Sequence, residues 1–185
     1  MVVTLIGYRG TGKTSVAPPL ARRLHLDSID ADAELERRAG KSIREIFETE
    51  GEPGFRAREK ALLAELLARD RLVIAAGGGA VLDPETRARM RAAGPVVWLR
   101  ATPATIERQI AADATTRDRR PKLTVDGGRV EIESLLAVRE PLYREAASFT
   151  VDVDDRTVDE IVAEIAGAIS PLFSEPRGTS GSSRP

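Results

Sequence analysis

The chain has 185 residues, enough for one domain with a sizeable core and no covalent staples. Its 28 basic and 29 acidic residues nearly cancel, so bulk charge gives no ground for a nucleic-acid partner or a charged membrane surface. With no cysteine and a single histidine, disulfides, thiolate catalysis, cysteine–metal sites and histidine clusters are excluded.

In chain order, Val2-Val3-Thr4-Leu5-Ile6 is a near-continuous apolar run, as in a strand buried on both faces. With a strand expected from Val2, no leader peptide is expected, and no stretch approaches the ~18 apolar residues that span a bilayer. A cytoplasmic protein without a membrane role is expected. Gly7-Tyr8-Arg9-Gly10-Thr11-Gly12-Lys13-Thr14 follows and fits G-x-x-x-x-G-K-[ST]. Its glycines let the backbone curl so that N–H groups face a phosphate, and the next helix presents its positive end to the same anion. Gly10, Thr11, Gly12 and Ser15 belong to this cradle. Lys13 is placed for the β/γ-phosphates and Thr14 for Mg²⁺. A plain Gly-rich turn is the alternative, disfavoured by the strand before it and Lys-Thr behind it. Lysine is scarce, with Lys13, Lys41, Lys60 and Lys122 against 24 arginines. The implied ligand is a nucleoside triphosphate.

The spacing predicts a helix over 16–24, although Pro18 and Pro19 each cost about 3 kcal/mol in a helix interior. A kink or a locally unbonded turn is expected there. His25 falls where that helix ends, at the surface or as a C-cap. A short strand near Ser28 and Ile29 leads into Asp30-Ala31-Asp32, whose two carboxylates at i and i+2 share a face. One suits a Mg²⁺ shell and the other a substrate hydroxyl; an exposed loop with an Asp N-cap is the alternative. Helical patterns follow over 32–39, over 43–50 behind the capping box Ser42-Ile43-Arg44-Glu45, and over 55–68. The strand 72–75 runs into Gly77-Gly78-Gly79, which lets a ligand approach the backbone where open α/β sheets bind ligands.

A helix over 85–93, a strand over 96–99, and a helix over 104–110 started by Thr102-Pro103 come next. Residues 111–128 form a polar connection too long for a compact domain, which reads as a mobile lid. It carries Arg117-Asp118-Arg119-Arg120-Pro121-Lys122, either a solvated charge run or a cluster from which Arg120 meets a transferring phosphate. A helix over 129–146, a weak strand over 148–151 and a helix over 158–172 complete the pattern. A disordered tail is expected over 174–185. Strands alternating with helices imply an α/β fold, a parallel sheet with helices on both faces. Arg56 and Arg139 can each grip a carboxylate bidentately, or be solvated helix charges.

Taken together, Gly7–Thr14, Asp30-x-Asp32, Gly51-Glu52 with Phe55-Arg56-x-x-Glu59, Gly77-Gly78-Gly79-Ala80-Val81, Arg120-Pro121 and Arg139-Glu140-Pro141-Leu142-Tyr143 resemble the shikimate kinase family over roughly residues 1–170. The resemblance implies a P-loop, nucleoside-monophosphate-kinase-like three-layer sandwich with a five-stranded parallel sheet. One kinase domain over 1–173, with a lid at about 111–126, is expected. The implied reaction moves the ATP γ-phosphoryl group to the 3-hydroxyl of shikimate. By position, Asp32 holds and deprotonates the hydroxyl, with Lys13 and Arg120 as the other catalytic groups. Asp30 and Thr14 sit by the metal, and Arg108 and Arg120 join the ATP site. Arg56, Arg139 and the backbone of Gly77, Gly78 and Gly79 take shikimate. Mg²⁺ is the implied cofactor, ATP and shikimate are the partners, and the chain is expected as a monomer. Three departures stand out: Lys122 in the lid, Pro18-Pro19, and a segment near Asp154–Val158 that gives no clear second adenine contact. Rival readings are a gluconate or nucleotide kinase, or a nucleotide-binding module that has lost catalysis.

Overall fold

The computed structural model describes residues 1–112 and 128–174. The expected lid, Arg120 and the tail beyond Ser174 lie outside the described residues. Five strands form one parallel sheet in the order β2-β3-β1-β4-β5: β1 (Val2–Ile6), β2 (Asp27–Asp30), β3 (Leu72–Ala75), β4 (Val96–Arg100) and β5 (Phe149–Asp152). The helices are α1 (Lys13–Leu24), α2 (Ala31–Ala39), α3 (Ile43–Leu67), α4 (Pro84–Ala93), α5 (Pro103–Ala112), α6 (Gly128–Ala146) and α7 (Val158–Ser174), with a 3₁₀ turn at Ala80–Leu82. The expected sheet, with helices on both faces, is present.

The period-two alternation of a strand divides the core into two layers. Val3 and Leu5, with Val73, Val97, Leu99 and Val151, pack under α1 and α7. Val2 and Ile6, with Leu72, Ile74, Val96 and Trp98, pack under α3, α4 and Tyr143 of α6. Each layer buries about twenty apolar side chains or more, enough to hold the strand ends rigid.

Three local features bear on the site. Helix α1 runs through Pro18 and Pro19 without a break, and His25 closes it in the left-handed region at φ 56°, as a C-cap. Both proline rings project toward solvent or the half-buried flank, so the lost amides open no hole in the core. The two helical patterns over 43–50 and 55–68 join into α3, but Gly51 breaks the regular backbone between them at φ 69°, ψ −179°. The capping box predicted at Ser42 and Glu45 is present in both directions, with Glu45 N–H donating to Ser42 Oγ at 3.2 Å and Ser42 N–H to the Glu45 carboxylate at 2.7 Å.

Candidate active site

The sheet register brings the expected residues to one edge. Leu5 pairs with Ala75, and Ala75 with Asp30, so β1, β3 and β2 end side by side. The chain leaves those ends as the phosphate loop, the triple-glycine segment and the Asp30-Ala31-Asp32 turn. This is the carboxyl-end crevice where open parallel sheets take ligands.

The phosphate loop is folded by its glycines. Gly7, Gly10 and Gly12 sit at φ 139°, 81° and 82°, a region that L side chains rarely adopt. A Cβ on Gly7 would also stand 2.4 Å from the Leu99 carbonyl oxygen. Gly12 is the N-cap of α1 and no side chain caps that helix, leaving its first amides for an anion. The Lys13 ammonium donates to the carbonyls of Gly7 at 2.8 Å and Tyr8 at 2.7 Å, inside the curve of the loop. Thr11 is buried and donates its hydroxyl to the same Tyr8 carbonyl at 2.9 Å, while Ser15 is exposed.

Asp30 ends β2 and caps α2, accepting from Ala33 N–H at 3.0 Å with one oxygen. Its other oxygen accepts from the Thr14 hydroxyl at 2.6 Å. A hydroxyl and a carboxylate from opposite sides of the crevice therefore meet. Both are hard oxygen donors, the set that suits Mg²⁺. Among the described residues no group of three or more His, Cys, Asp or Glu gathers as a cage. Asp32 lies half-buried in the first turn of α2, where a negative charge faces the positive helix end.

The glycine segment forms a shelf. Gly78 lies against the phosphate loop: an added Cβ would be 3.3 Å from the Arg9 nitrogen and 3.4 Å from the Gly7 oxygen. The Gly78 carbonyl accepts from the Tyr143 hydroxyl at 2.6 Å and from Arg139 Nη1 at 3.5 Å. Tyr143 is one helical turn beyond Arg139 on α6, so both reach the same oxygen. Its ring is held by stacking on Trp98 of β4, centroids 5.7 Å apart. Gly79 receives the Arg56 guanidinium, which would stand 2.4 Å from an added Cβ. The two expected arginines thus converge on consecutive glycines. Arg56 is paired with Glu59 at 2.7 Å and Glu52 at 3.2 Å and lies 5.1 Å over the Phe55 ring, which stacks on Phe47. Arg139 is only 6% exposed, yet it has no carboxylate partner among the described residues.

Arg108 on α5 donates to Thr105 at 3.3 Å and reaches Asp155 at 3.4 Å. The loop after β5, which the sequence left unassigned, is therefore its neighbour, and Asp155 has the left-handed φ of 53°. Sequence reasoning missed Tyr8, Arg9, Glu131 and Arg87. Arg87 is buried and donates to the Val81 carbonyl at 2.7 Å, holding the 3₁₀ turn behind the glycine shelf. Arg9 donates to Glu131 of α6 at 2.9 Å, and Glu131 is 1% exposed. Tyr8 is buried with the guanidinium carbons of Arg9 and Arg139 at 5.9 and 5.7 Å from its ring centre. Burial pushes its hydroxyl above the usual 10, and the two nearby cations offset only part of that rise. An arginine inside the loop motif was the one available signal. A cavity of about 570 Å³ also opens beside Arg56 and Gly79, between α3 and the 3₁₀ turn.

The family model described as Shikimate kinase matches residues 9–170. A shikimate kinase of Rhodopirellula baltica is 46% identical over 164 residues, covering 89% of this chain and 88% of the relative. One from Pseudomonas savastanoi pv. phaseolicola is 45% identical over 168 residues, covering 91% and 95%. The solved shikimate kinase from Acinetobacter baumannii in complex with shikimate superposes with a TM-score of 0.86 at 34% identity, covering 94% of this chain and 95% of that one. With most of its length matched by the family model and by relatives well above 30% identity, the chain belongs to the shikimate kinase family.

Proposed function

We propose that the phosphate loop and the glycine shelf form one active centre, in which the γ-phosphoryl group of ATP passes to the 3-hydroxyl of shikimate, giving shikimate 3-phosphate and ADP. The observation that carries the acceptor side is Arg139, a buried guanidinium with no carboxylate among the described residues. A buried cation of this kind calls for an anion. Arg56 on the adjacent glycine supplies a second fork, so a small carboxylic acid fits better than a neutral sugar or a nucleotide base.

The loop amides and Lys13 hold the β- and γ-phosphates. Thr14 and Asp30 would hold Mg²⁺, which would supply charge neutralisation on the phosphate oxygens. Asp32 orients the acceptor hydroxyl and takes its proton as the oxygen bonds to the γ-phosphorus. The bond from that phosphorus to the β–γ bridging oxygen breaks, and ADP leaves. The transition state is loose, so positioning and cationic stabilisation do most of the work. Arg120 is assigned a stabilising cation in that step, and Arg108 the face of the adenine.

The test is ADP release with Mg²⁺ and ATP, with shikimate, gluconate or nucleoside monophosphates offered in turn. Shikimate alone should give stoichiometric ADP; release with gluconate or a nucleotide instead would replace the acceptor, and none with any would leave only a nucleotide-binding module. Arg139→Ala should raise the shikimate KM on the order of 10- to 100-fold with the ATP KM unchanged. Asp32→Asn should lower kcat by roughly 10²- to 10⁴-fold and leave nucleotide binding intact.

A further inference from the structure

We infer that Arg9 and Glu131 form a positioning pair that sets the pose of Arg139 through the Tyr8 ring, so that the triphosphate loop tunes affinity for the acid. This rests on the acceptor reading above and adds two residues to it. The loop motif works through backbone amides and leaves the side chain at position 9 unspecified. Here that side chain crosses to Glu131 of α6 at 2.9 Å, joining residues 122 apart. Glu131 is 1% exposed and Arg9 is 22% exposed at its side chain. A carboxylate buried that deeply has to be compensated, so the loop and α6 are tied at this point.

Eight residues along α6 from Glu131 lies Arg139, whose guanidinium rests 5.7 Å from the Tyr8 ring centre, while Arg9 rests 5.9 Å from it. Arg9 and Arg139 flank the same Tyr8 ring, so loss of the Arg9–Glu131 contact frees one of the two cations that hold that ring beside Arg139. Arg139 has few other anchors, with the Gly78 carbonyl at 3.5 Å. Gly78 itself lies against Arg9, the distance from its would-be Cβ to the Arg9 nitrogen being 3.3 Å. Phosphate loop, glycine shelf and carboxylate-binding arginine therefore form one contiguous packed unit, in which Arg9–Glu131 is the strut. Neither side chain is assigned a contact with phosphate or acid in the reading above. Their effect has to appear in acid binding, by way of Arg139.

The experiment measures shikimate and ADP dissociation constants by calorimetry, and both KM values and kcat, for the full chain and for Arg9→Met, Arg9→Lys, Glu131→Gln and Arg9→Met with Glu131→Gln. Arg9→Met and Glu131→Gln should each weaken shikimate binding about tenfold, the double variant no more than either alone, and ADP binding should stay within about twofold. Arg9→Lys should restore part of the loss. In an Arg139→Ala background, Arg9→Met should add nothing to the shikimate KM, which a merely structural role would not produce. Glu131→Gln keeps the buried shape without the charge, so the inference stays testable if Arg9→Met does not fold. Shikimate affinity unchanged in the folded variants overturns the inference, as do additive losses or a weakening of ADP equal to that of shikimate. If the unaltered chain does not phosphorylate shikimate, the acceptor reading has failed; if it does and the variants match it, only the strut has.

Discussion

At the scale of single residues, the site is built from backbone as much as from side chains. Two glycines show the difference between a replaceable and an irreplaceable hydrogen. Gly79 has a negative φ of −101°, and the atoms nearest an added methyl belong to the movable end of Arg56. Gly79→Ala should therefore fold with a stability loss of about 1 kcal/mol or less, while pushing Arg56 aside and raising the shikimate KM about tenfold. Gly7 has φ 139°, and its added methyl would meet the backbone oxygen of Leu99, which cannot move aside. Gly7→Ala should cost on the order of 3 kcal/mol or more. Urea unfolding of both variants, beside their kinetics, checks the contrast. The loop glycines, Lys13 and Thr14 were legible in the sequence because one contiguous motif carries them. The Arg9–Glu131 pair was not, since nothing local marks a partner 122 residues away.

Among the elements, those with buried faces announced themselves and the edge did not. β1, β3 and β4 read as apolar runs because helices cover both sides. β2 has two exposed and two half-buried residues, so no apolar run marks it; its pairing with β3 makes it a strand. Helix α2, which carries Asp32, is locked by charge to its neighbour. Arg38 bridges Glu34 on α2 to Glu65 on α3, with contacts of 2.7 and 2.5 Å. Hydrogen bonds from Arg37 and Arg38 hold Glu34 at about 2, well below the usual 4.5. A lowered carboxylate contributes stability that is fully present above 4.5 and is lost as pH falls toward 2. Glu34→Gln should lower the melting temperature at neutral pH and flatten its decline between those values, the two proteins converging as pH approaches 2. Melting curves across an acid series measure this; an equal slope in both proteins would remove Glu34 from the acid response.

For the whole molecule, the proposed centre puts both ligands at one sheet edge, built only when the chain is folded. Either ligand at about 100 times its dissociation constant should then stabilise the fold by roughly 2.7 kcal/mol. MgADP and shikimate together should give at least the sum, since they occupy adjoining rather than competing places. Thermal melts with each ligand and both decide it, and mutual exclusion would appear as a gain no larger than one ligand's. The architecture was readable from alternating strands and helices and the count of five parallel strands came with the resemblance, while the order β2-β3-β1-β4-β5 is set by pairing that no pattern in the residues marks. How the two helical patterns before and after Gly51 join also depended on packing, because a glycine alone marks either a loop or a bend.

The glycine shelf has a consequence for inhibition. Its surface is main chain, pinned from behind by Tyr143 and Arg87. At Gly78 even a methyl group would crowd the phosphate loop, and at Gly79 it would evict Arg56, the arginine we propose grips the acid. A compound that leans on this wall leaves the enzyme little room to escape by point mutation, because the changes that would repel the drug also repel the substrate.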